Sequence, residues 1–155
     1  MDLSKIEQSV KMIEEAKASY KKALEEAITP GLDYIAKTYG EQIQSIHIVG
    51  TTPSFNDGEP CEHSSDWGIG YNWLENYGME HLLEDWFDLD EDDDAEKIEE
   101  MMNVDIDAPT EVNNFVSQVL DPYFEEKLHT NYQVHIRFES NGTYILEEDE
   151  YDCGY

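Results

Sequence analysis

The clearest structural signal in the chain is the segment YQVHIRFESNGTYIL, residues 132–146. Apolar side chains occupy alternate positions from Tyr132 to Phe138, which is the period of a β-strand with one inward face. Asn141-Gly142 is the dipeptide that tight hairpin turns prefer, so Thr143–Leu146 is predicted to pair back on the first strand. The sequence therefore predicts an antiparallel hairpin over residues 130–148.

A second pair of strands is predicted upstream, within residues 41–71. Gln42–Val49 has the period-2 pattern of a strand. Gly50–Pro60 is dense in turn-forming residues, which indicates a loop, and Cys61–Tyr71 is predicted to return as a second strand. This part of the chain is therefore interpreted as strand, loop and strand.

The first 40 residues are predicted to be helical and nearly neutral. Ser4-Lys5-Ile6-Glu7 fits a capping box, so a helix should begin there, run to about Ile28 and stop at Thr29-Pro30-Gly31. Leu32–Tyr39 is predicted to be a short second helix. The first helix carries a heptad seam with alternating steps of three and four residues. Its members are Leu3, Ile6, Val10, Ile13, Lys17, Tyr20, Leu24 and Ala27. Two interpretations stay open: the seam packs on the chain's own sheet, or the 4–28 helix forms a homodimer with a second copy.

Residues 72–128 are predicted to form a set of acidic helices. Asn72–Phe87 and Ala95–Met102 have helical patterns of apolar residues. Asp107 can cap a third long helix, which Asp121-Pro122 should bend because proline lacks the backbone donor.

The acidic end of the chain is expected to fray from Glu147 onward, with residues 149–155 as a tail. The order of the predicted elements indicates one α+β domain over residues 1–155. It would contain an antiparallel sheet of three to four strands, packed by a long N-terminal helix and two or three further helices.

Charge is the strongest functional signal. The chain has 155 residues with 37 acidic and 9 basic side chains, a net charge of −28. Residues 38–155 hold 30 of the acids and only three basic residues. This balance argues against direct binding of nucleic acid or of an anionic membrane, because both need lysine and arginine. The chain has no apolar run long enough to cross a membrane and no pattern of a signal peptide, and two cysteines do not make a disulfide framework. The expected compartment is therefore the cytoplasm.

The size of the charge suggests an electrostatic function. DNA carries one negative charge per roughly 1.7 Å, so 27 charges match about 46 Å of duplex, on the order of 13 base pairs. A globule of this length has a diameter of the same order. The candidate partner-binding residues are Glu84, Asp85, Asp88, Asp90, Asp92, Asp93, Asp94, Glu96, Glu99 and Glu100, with a second patch at Glu147, Glu148, Asp149 and Glu150. Aromatic residues among the acids could be interface anchors or core residues: Trp86, Phe87, Tyr123, Tyr144 and Tyr151.

This acidic composition resembles that of phage-encoded DNA-mimic inhibitors, which include anti-restriction, anti-CRISPR and uracil-glycosylase-inhibitor proteins. Separately, TPSFNDGEPC at residues 52–61 resembles a short segment of small phage-type proteins. The resemblance implies a protein without catalytic activity or cofactor, located in the host cytoplasm if viral. Its partner would be a basic, nucleic-acid-binding host protein whose groove it blocks.

A calcium-binding loop is the principal alternative. Residues 88–99 match an EF-hand loop at the five positions held by Asp88, Asp90, Asp92, Glu96 and Glu99. The pattern departs from that motif at Asp93, where the loop needs glycine, and at Ala95, where a larger apolar residue is usual. No metal site is favoured, and a solvated acidic surface explains the same residues.

Three weaker alternatives complete the reading. Cys61, His63 and Cys153 could supply zinc ligands, but the spacing fits no known structural site and a fourth ligand is missing. Cys61 could be a nucleophile with His47 or His63 as its base, although a negative field raises the pKa of a thiol and makes it less reactive. A halophilic source would also explain the charge. Because neither the Cys61 nucleophile nor the zinc site has good support, the protein is not expected to be an enzyme.

Overall fold

The computed structural model describes residues 3–52, 63–77, 79, 81–90, 92–103, 107–128 and 131–150. The helices are α1 (Leu3–Ile43), α2 (His81–Phe87), α3 (Ala95–Met102), α4 (Thr110–Phe115) and α5 (Asp121–Leu128). A 3-10 helix spans Tyr71–Tyr77, and a π-helical segment spans Val116–Leu120. The strands are β1 (Ser45–Thr51), β2 (Ser64–Ile69), β3 (Tyr132–Phe138) and β4 (Tyr144–Glu150). None of the helices described is long and apolar enough to cross a membrane.

The four strands form one antiparallel sheet in the order β2-β1-β3-β4, so the predicted α+β class is confirmed. The predicted hairpin is the β3–β4 pair, in which Ile136 lies opposite Leu146. Its turn is closed by the backbone N–H of Glu139, which donates to the carbonyl of Thr143 at 2.9 Å. Gly142 takes a φ of +82°, a conformation that glycine adopts without steric cost.

Both faces of the sheet are covered. We call the side that packs against α1 and the α4–α5 helices the helical face, and the opposite side the acidic face. The core on the helical face is built from alternate residues of the strands, with Ile46 and Ile48 from β1 and Val134 and Ile136 from β3, all fully buried. The acidic face carries the 3-10 helix, α2 and α3 over a smaller core of Val49, Tyr71, Leu74, Met79 and Leu83.

The predicted break in the N-terminal helix is wrong, because α1 runs without interruption through Pro30 to Ile43. Proline inside a helix costs about 3 kcal/mol. The turns after it bury Leu32, Ile35 and Ile43, and each such side chain contributes roughly 1.5–3 kcal/mol. Gly31 does not end the helix. It makes room for the ring of Phe115, which a side chain at that position would overlap.

The exposure of the seam on α1 decides against one of its two interpretations, packing on the chain's own sheet. Every side chain from Leu3 to Ala23 is exposed, and burial begins at Leu24. The seam therefore does not pack on the chain's own sheet over most of its length, because the first half of α1 extends past the edge of the body.

Two further boundaries differ from the predictions. β1 begins at Ser45 instead of Gln42, because α1 continues to Ile43 and Gln44 turns with a φ of +63°. The predicted helix over residues 72–87 is divided into the 3-10 helix and α2, in a segment whose middle contains Gly78, the poorest helix former after proline.

The expectation that the chain frays from Glu147 onward is also wrong for the residues that the structure describes. Glu147–Glu150 belongs to β4 and pairs with Tyr132–His135, because strand pairing uses the backbone and tolerates acidic side chains. Residues 151–155 lie outside the described part. In place of the single helix predicted from Asp107, the structure has α4, the π-helical segment and α5, and α5 contains Pro122 in its first turn.

Candidate functional site

The acidic run, residues 84–100, lies across the acidic face as the end of α2, a connection and α3. It contains eleven acids and one basic residue, Lys97. Eight of its carboxylates are exposed: Asp85, Asp88, Asp90, Asp92, Asp93, Glu96, Glu99 and Glu100. Glu84 and Asp94 are partly buried, and Glu91 lies outside the described residues. The run thus presents most of its carboxylates to solvent.

Apolar residues between the acids hold this layer on the sheet. Leu83 of α2 is fully buried, and Ile98, Met101 and Met102 of α3 pack against the same small core. The helical period explains the division, since residues three or four apart share a face and the acids occupy the opposite one. The exposed carboxylates are therefore attached to a fixed layer.

Two of the acids also organise the connection between the helices. Asp90 accepts a hydrogen bond from the backbone N–H of Asp92 at 2.9 Å, and Asp94 accepts one from the N–H of Asp90 at 2.8 Å. Asp94 also lies 3.6 Å from the ammonium of Lys97, which is the only ion pair of the run among the residues described. Asp90 and Asp94 therefore have a structural role beside any functional one.

The predicted second patch is divided between the two faces of the sheet. Glu147 lies on the acidic face and accepts a hydrogen bond from the indole of Trp86 at 3.2 Å, and strand alternation places Asp149 on the same face. Glu148 lies on the helical face, where it binds Lys127 at 2.7 Å and raises the pKa of that ammonium. The side chain of Glu150 lies outside the described part. The structure thus brings Glu147 and Asp149, but not Glu148, to the side of the acidic run.

Each basic residue after residue 37 is paired with an acid. Lys97 and Lys127 have the partners given above, and Arg137 binds Glu139 at 3.1 Å. The guanidinium of Arg137 also lies 5.6 Å from the ring centres of Trp86 and of Phe87, and it donates to the backbone carbonyl of Trp86 at 3.0 Å. Arg137 therefore connects β3 to the end of α2.

The aromatic candidates are mostly part of the packing. Trp86 is half-buried over the sheet, and Tyr144 packs against the core of the helical face. Tyr123 is half-buried against Phe124. Phe87 is 40% exposed and remains accessible beside the acidic run. Tyr151 lies outside the described residues.

Two histidines form a buried pair that was not predicted from the sequence. His47 and His135 are opposite each other on β1 and β3, are 0% and 2% exposed, and have their Nδ1 atoms 3.1 Å apart. Ser45 Oγ lies 2.7 Å from Nε2 of His47, and the indoles of Trp73 and Trp86 lie parallel to its ring. Nε2 of His135 is buried without a hydrogen-bond partner in the described part of the chain.

Burial keeps both rings of this pair neutral. It lowers the pKa of His47 well below the ordinary value, with a further contribution from His135. It lowers the pKa of His135 to about 4, partly opposed by the charge of Asp149. A sequence signal existed: both strands carry a histidine on the face opposite their main apolar stripe. It could be interpreted only with the strand register in hand.

The metal and cysteine hypotheses gain little from the geometry. Cys61 and Cys153 lie outside the described residues, and His63 Nδ1 lies 2.7 Å from the hydroxyl of Thr52. α2 and α3 lie on either side of residues 88–94, but α3 begins at Ala95 and so contains the last five residues of the predicted loop. No three His, Cys, Asp or Glu side chains of the described residues are grouped to hold an ion. His47, the other proposed base, is fully buried.

The comparisons with known proteins give no relative. No protein-family model, no curated protein and no solved structure matches the chain. The functional argument therefore depends on the charges and contacts of this molecule alone.

Proposed function

We propose that the protein is a non-enzymatic inhibitor of phage type that mimics the charge of DNA. It acts in the cytoplasm without a cofactor and blocks the nucleic-acid groove of a basic host defence or DNA-processing protein. The observation that supports this proposal best is the set of eight exposed carboxylates on one side of the sheet, within a run whose single lysine is already paired.

The charge density of the acidic run is comparable to that of DNA. Eleven acids and one lysine over residues 84–100 give a net charge of −10. Duplex DNA carries the same charge over roughly 17 Å, about five base pairs. α3, which carries three of these acids, is about 12 Å long, and the other eight acids lie in the end of α2 and in the connection before α3. A groove lined with lysine and arginine to hold five base pairs could be neutralised by this surface.

Repulsion within the run supports the same reading. Glu96 lies three and four positions before Glu99 and Glu100 on α3, so like charges face one another on one helix side. Such pairs destabilise a helix by a few tenths of a kcal/mol each. A cationic partner relieves this repulsion when it binds. The crowded acids destabilise the free protein, so binding such a partner gives a reason for their presence.

Displacement of DNA from candidate targets tests the proposal. Labelled duplex is bound to a type I restriction enzyme, to a CRISPR effector complex and to a uracil-DNA glycosylase, and the protein is titrated into each. We expect release of DNA from at least one of them. The inhibition should weaken steeply between about 0.05 M and about 0.3 M salt, because exposed charges are screened over a few ångströms at high ionic strength.

A matched pair of variants separates the acidic run from total charge. The first carries Asp88→Asn, Asp92→Asn, Asp93→Asn and Glu96→Gln. The control carries Glu15→Gln, Glu25→Gln, Asp33→Asn and Glu41→Gln, four exposed acids of α1. At about 0.5–1 kcal/mol per exposed charge pair, the first variant should bind roughly 30- to 1000-fold more weakly, and the control much less so. Equal losses in both variants, or displacement from no target, would contradict the proposal.

Calcium binding remains the alternative function, since α2 and α3 lie on either side of the acidic residues 88–94. Calorimetric titration with calcium distinguishes it. Charge mimicry predicts only weak, salt-sensitive binding, because Asp90 and Asp94 are already engaged with the backbone of the connection. A saturable site of micromolar affinity that Asp88→Ala with Glu99→Ala abolishes would establish calcium binding instead.

A further inference from the structure

The projecting half of α1 carries six of the nine large apolar side chains that are exposed among the described residues. At 1.5 Å per residue, the exposed segment from Leu3 to Ala23 extends about 30 Å. We call this segment the arm. Along it Leu3, Ile6, Val10 and Ile13 are 67%, 41%, 49% and 55% exposed, and Tyr20 is 56% exposed. Large apolar side chains in a single row normally face another element, because most of the stability of a helix in a protein comes from packing its apolar face.

The spacing of the row is that of a coiled-coil seam. Steps of three and four residues keep one stripe of a helix facing a partner helix. Met12, at 69% exposure, lies off this stripe. The row ends where the body begins, since Leu24 is already buried beside α5.

The distribution of charge along the chain indicates which molecule the arm binds. The arm has five lysines and three glutamates, a net charge of +2, whereas residues 24–155 have 33 acids and four basic residues, a net charge of −29. A basic arm on a strongly acidic body is complementary to another copy of the same chain. Parallel pairing would bring two acidic bodies together at one end of the pair.

Antiparallel pairing separates the bodies and joins opposite charges. It places the two bodies about 30 Å apart, more than three times the screening length of about 8 Å at physiological salt. Each basic arm then ends beside the acidic body of the other copy. We propose that the arm forms an antiparallel two-helix pair with the arm of a second copy.

The row of exposed residues matches itself in this orientation. When the two arms are aligned about their midpoint, Leu3 faces the second copy's Tyr20, Ile6 its Lys17 and Val10 its Ile13. Lys17 can cover Ile6 with its methylene groups and keep its ammonium in water. The complete exposed row is used, and no member of it is left without a neighbour.

The root of the arm provides a place for the end of the other helix. A cleft of about 300 Å³ lies there between α1 and α5, and it is lined by Lys17, Tyr20, Lys21, Leu24, Pro122 and Glu126. In the antiparallel pair Leu3 of the second copy lies against Tyr20 at this cleft. The pair would therefore bury an apolar end as well as the seam.

Sedimentation equilibrium of the full chain tests the pairing. At about 100 μM a micromolar dissociation constant gives mostly dimer. We expect a dimer for the wild type and a monomer for Val10→Asp with Ile13→Asp, since this variant places charges at the centre of the seam. Met12→Asp is the matched control in the same helix and should remain a dimer. Both variants change exposed positions, and circular dichroism verifies that the body stays folded.

A distance measurement tests the orientation. A nitroxide is attached at Lys5→Cys in a background with Cys61→Ser and Cys153→Ser. Antiparallel pairing predicts a separation of about 25 Å between the two labels, because residues 5 and 18 of opposite copies share a level on the pair axis. A monomeric wild type, a dimer that survives the seam variant, a dimer lost in Met12→Asp, or a label separation under about 15 Å would each overturn the proposal.

Discussion

The buried histidine pair should make the protein lose stability as the pH falls below neutrality. The perturbation that isolates this effect is His135→Gln, which keeps a polar group beside His47 but removes one titrating ring. His135 is 2% exposed and its Nε2 has no hydrogen-bond partner in the described part of the chain, so a proton there is poorly solvated in the folded state. The unfolded chain accepts that proton freely.

The magnitude follows from the pKa values. The pKa of His135 is about 4 in the folded protein and about 6.5 in an unfolded chain. A folded pKa that is lowered means that stability is complete above the unfolded value and declines as the pH falls toward the folded value. Between pH 7 and pH 5, His135 alone should cost about 2 kcal/mol of unfolding free energy, and about 3 kcal/mol by pH 4. His47 adds to the loss in the same direction.

Urea unfolding measured by tryptophan fluorescence provides the assay, because Trp73 and Trp86 lie against the pair. The many carboxylates also titrate in this range, so the informative quantity is the difference between wild type and variant at each pH. Wild type should exceed His135→Gln by about 1–3 kcal/mol at pH 7, because the variant loses the hydrogen bond to His47 and some packing. That advantage should shrink by about 2 kcal/mol at pH 5.

A substitution that removes no titrating group supplies the control. Gln133→Ala, also on β3, should leave the slope of stability against pH as in the wild type. A difference between wild type and His135→Gln that stays constant from pH 7 to pH 5 would refute the reasoning.

Four other substitutions test the packing. Gly68→Ala should destabilise the protein by about 1–3 kcal/mol in urea unfolding, because its new methyl group would overlap the ring of Trp73. Gly40 lies within α1, and a methyl group there would make an ordinary van der Waals contact with Phe138, so Gly40→Ala should instead be neutral or stabilising by up to about 1 kcal/mol in the same measurement. Pro30→Ala should raise the melting temperature, because it restores a backbone donor and removes the clash of the ring with the preceding turn, together worth up to about 3 kcal/mol, whereas two separate helices would show no gain. Arg137→Ala should lower stability by about 2 kcal/mol and increase hydrogen exchange in α2, through lost hydrogen bonds and ring contacts.

The hairpin was predictable because its information is local. Alternation in Tyr132–Phe138 and the Asn141-Gly142 turn lie within fifteen residues, and both are satisfied by β3 and β4. The continuity of α1 was not predictable in this way. Pro30 and Gly31 are local signals of a helix end, but burial of Leu32 and Ile35 against distant residues outweighs them.

The candidate site shows the same division. The exposure of the acidic run could be anticipated from its composition, because so many neighbouring carboxylates cannot be buried together. The separation of Glu148 from Glu147 required the strand register. The alternation in β3 indicates one inward face and cannot reveal that a second layer covers the other, so His135 could not be recognised as buried.

β4 is an edge strand, and its outer backbone groups could accept a strand from another molecule. Glu147, Glu148 and Asp149 place carboxylates on both of its surfaces, so two such edges repel when they approach. These acids therefore disfavour edge-to-edge association of two copies, whatever partner the acidic run binds.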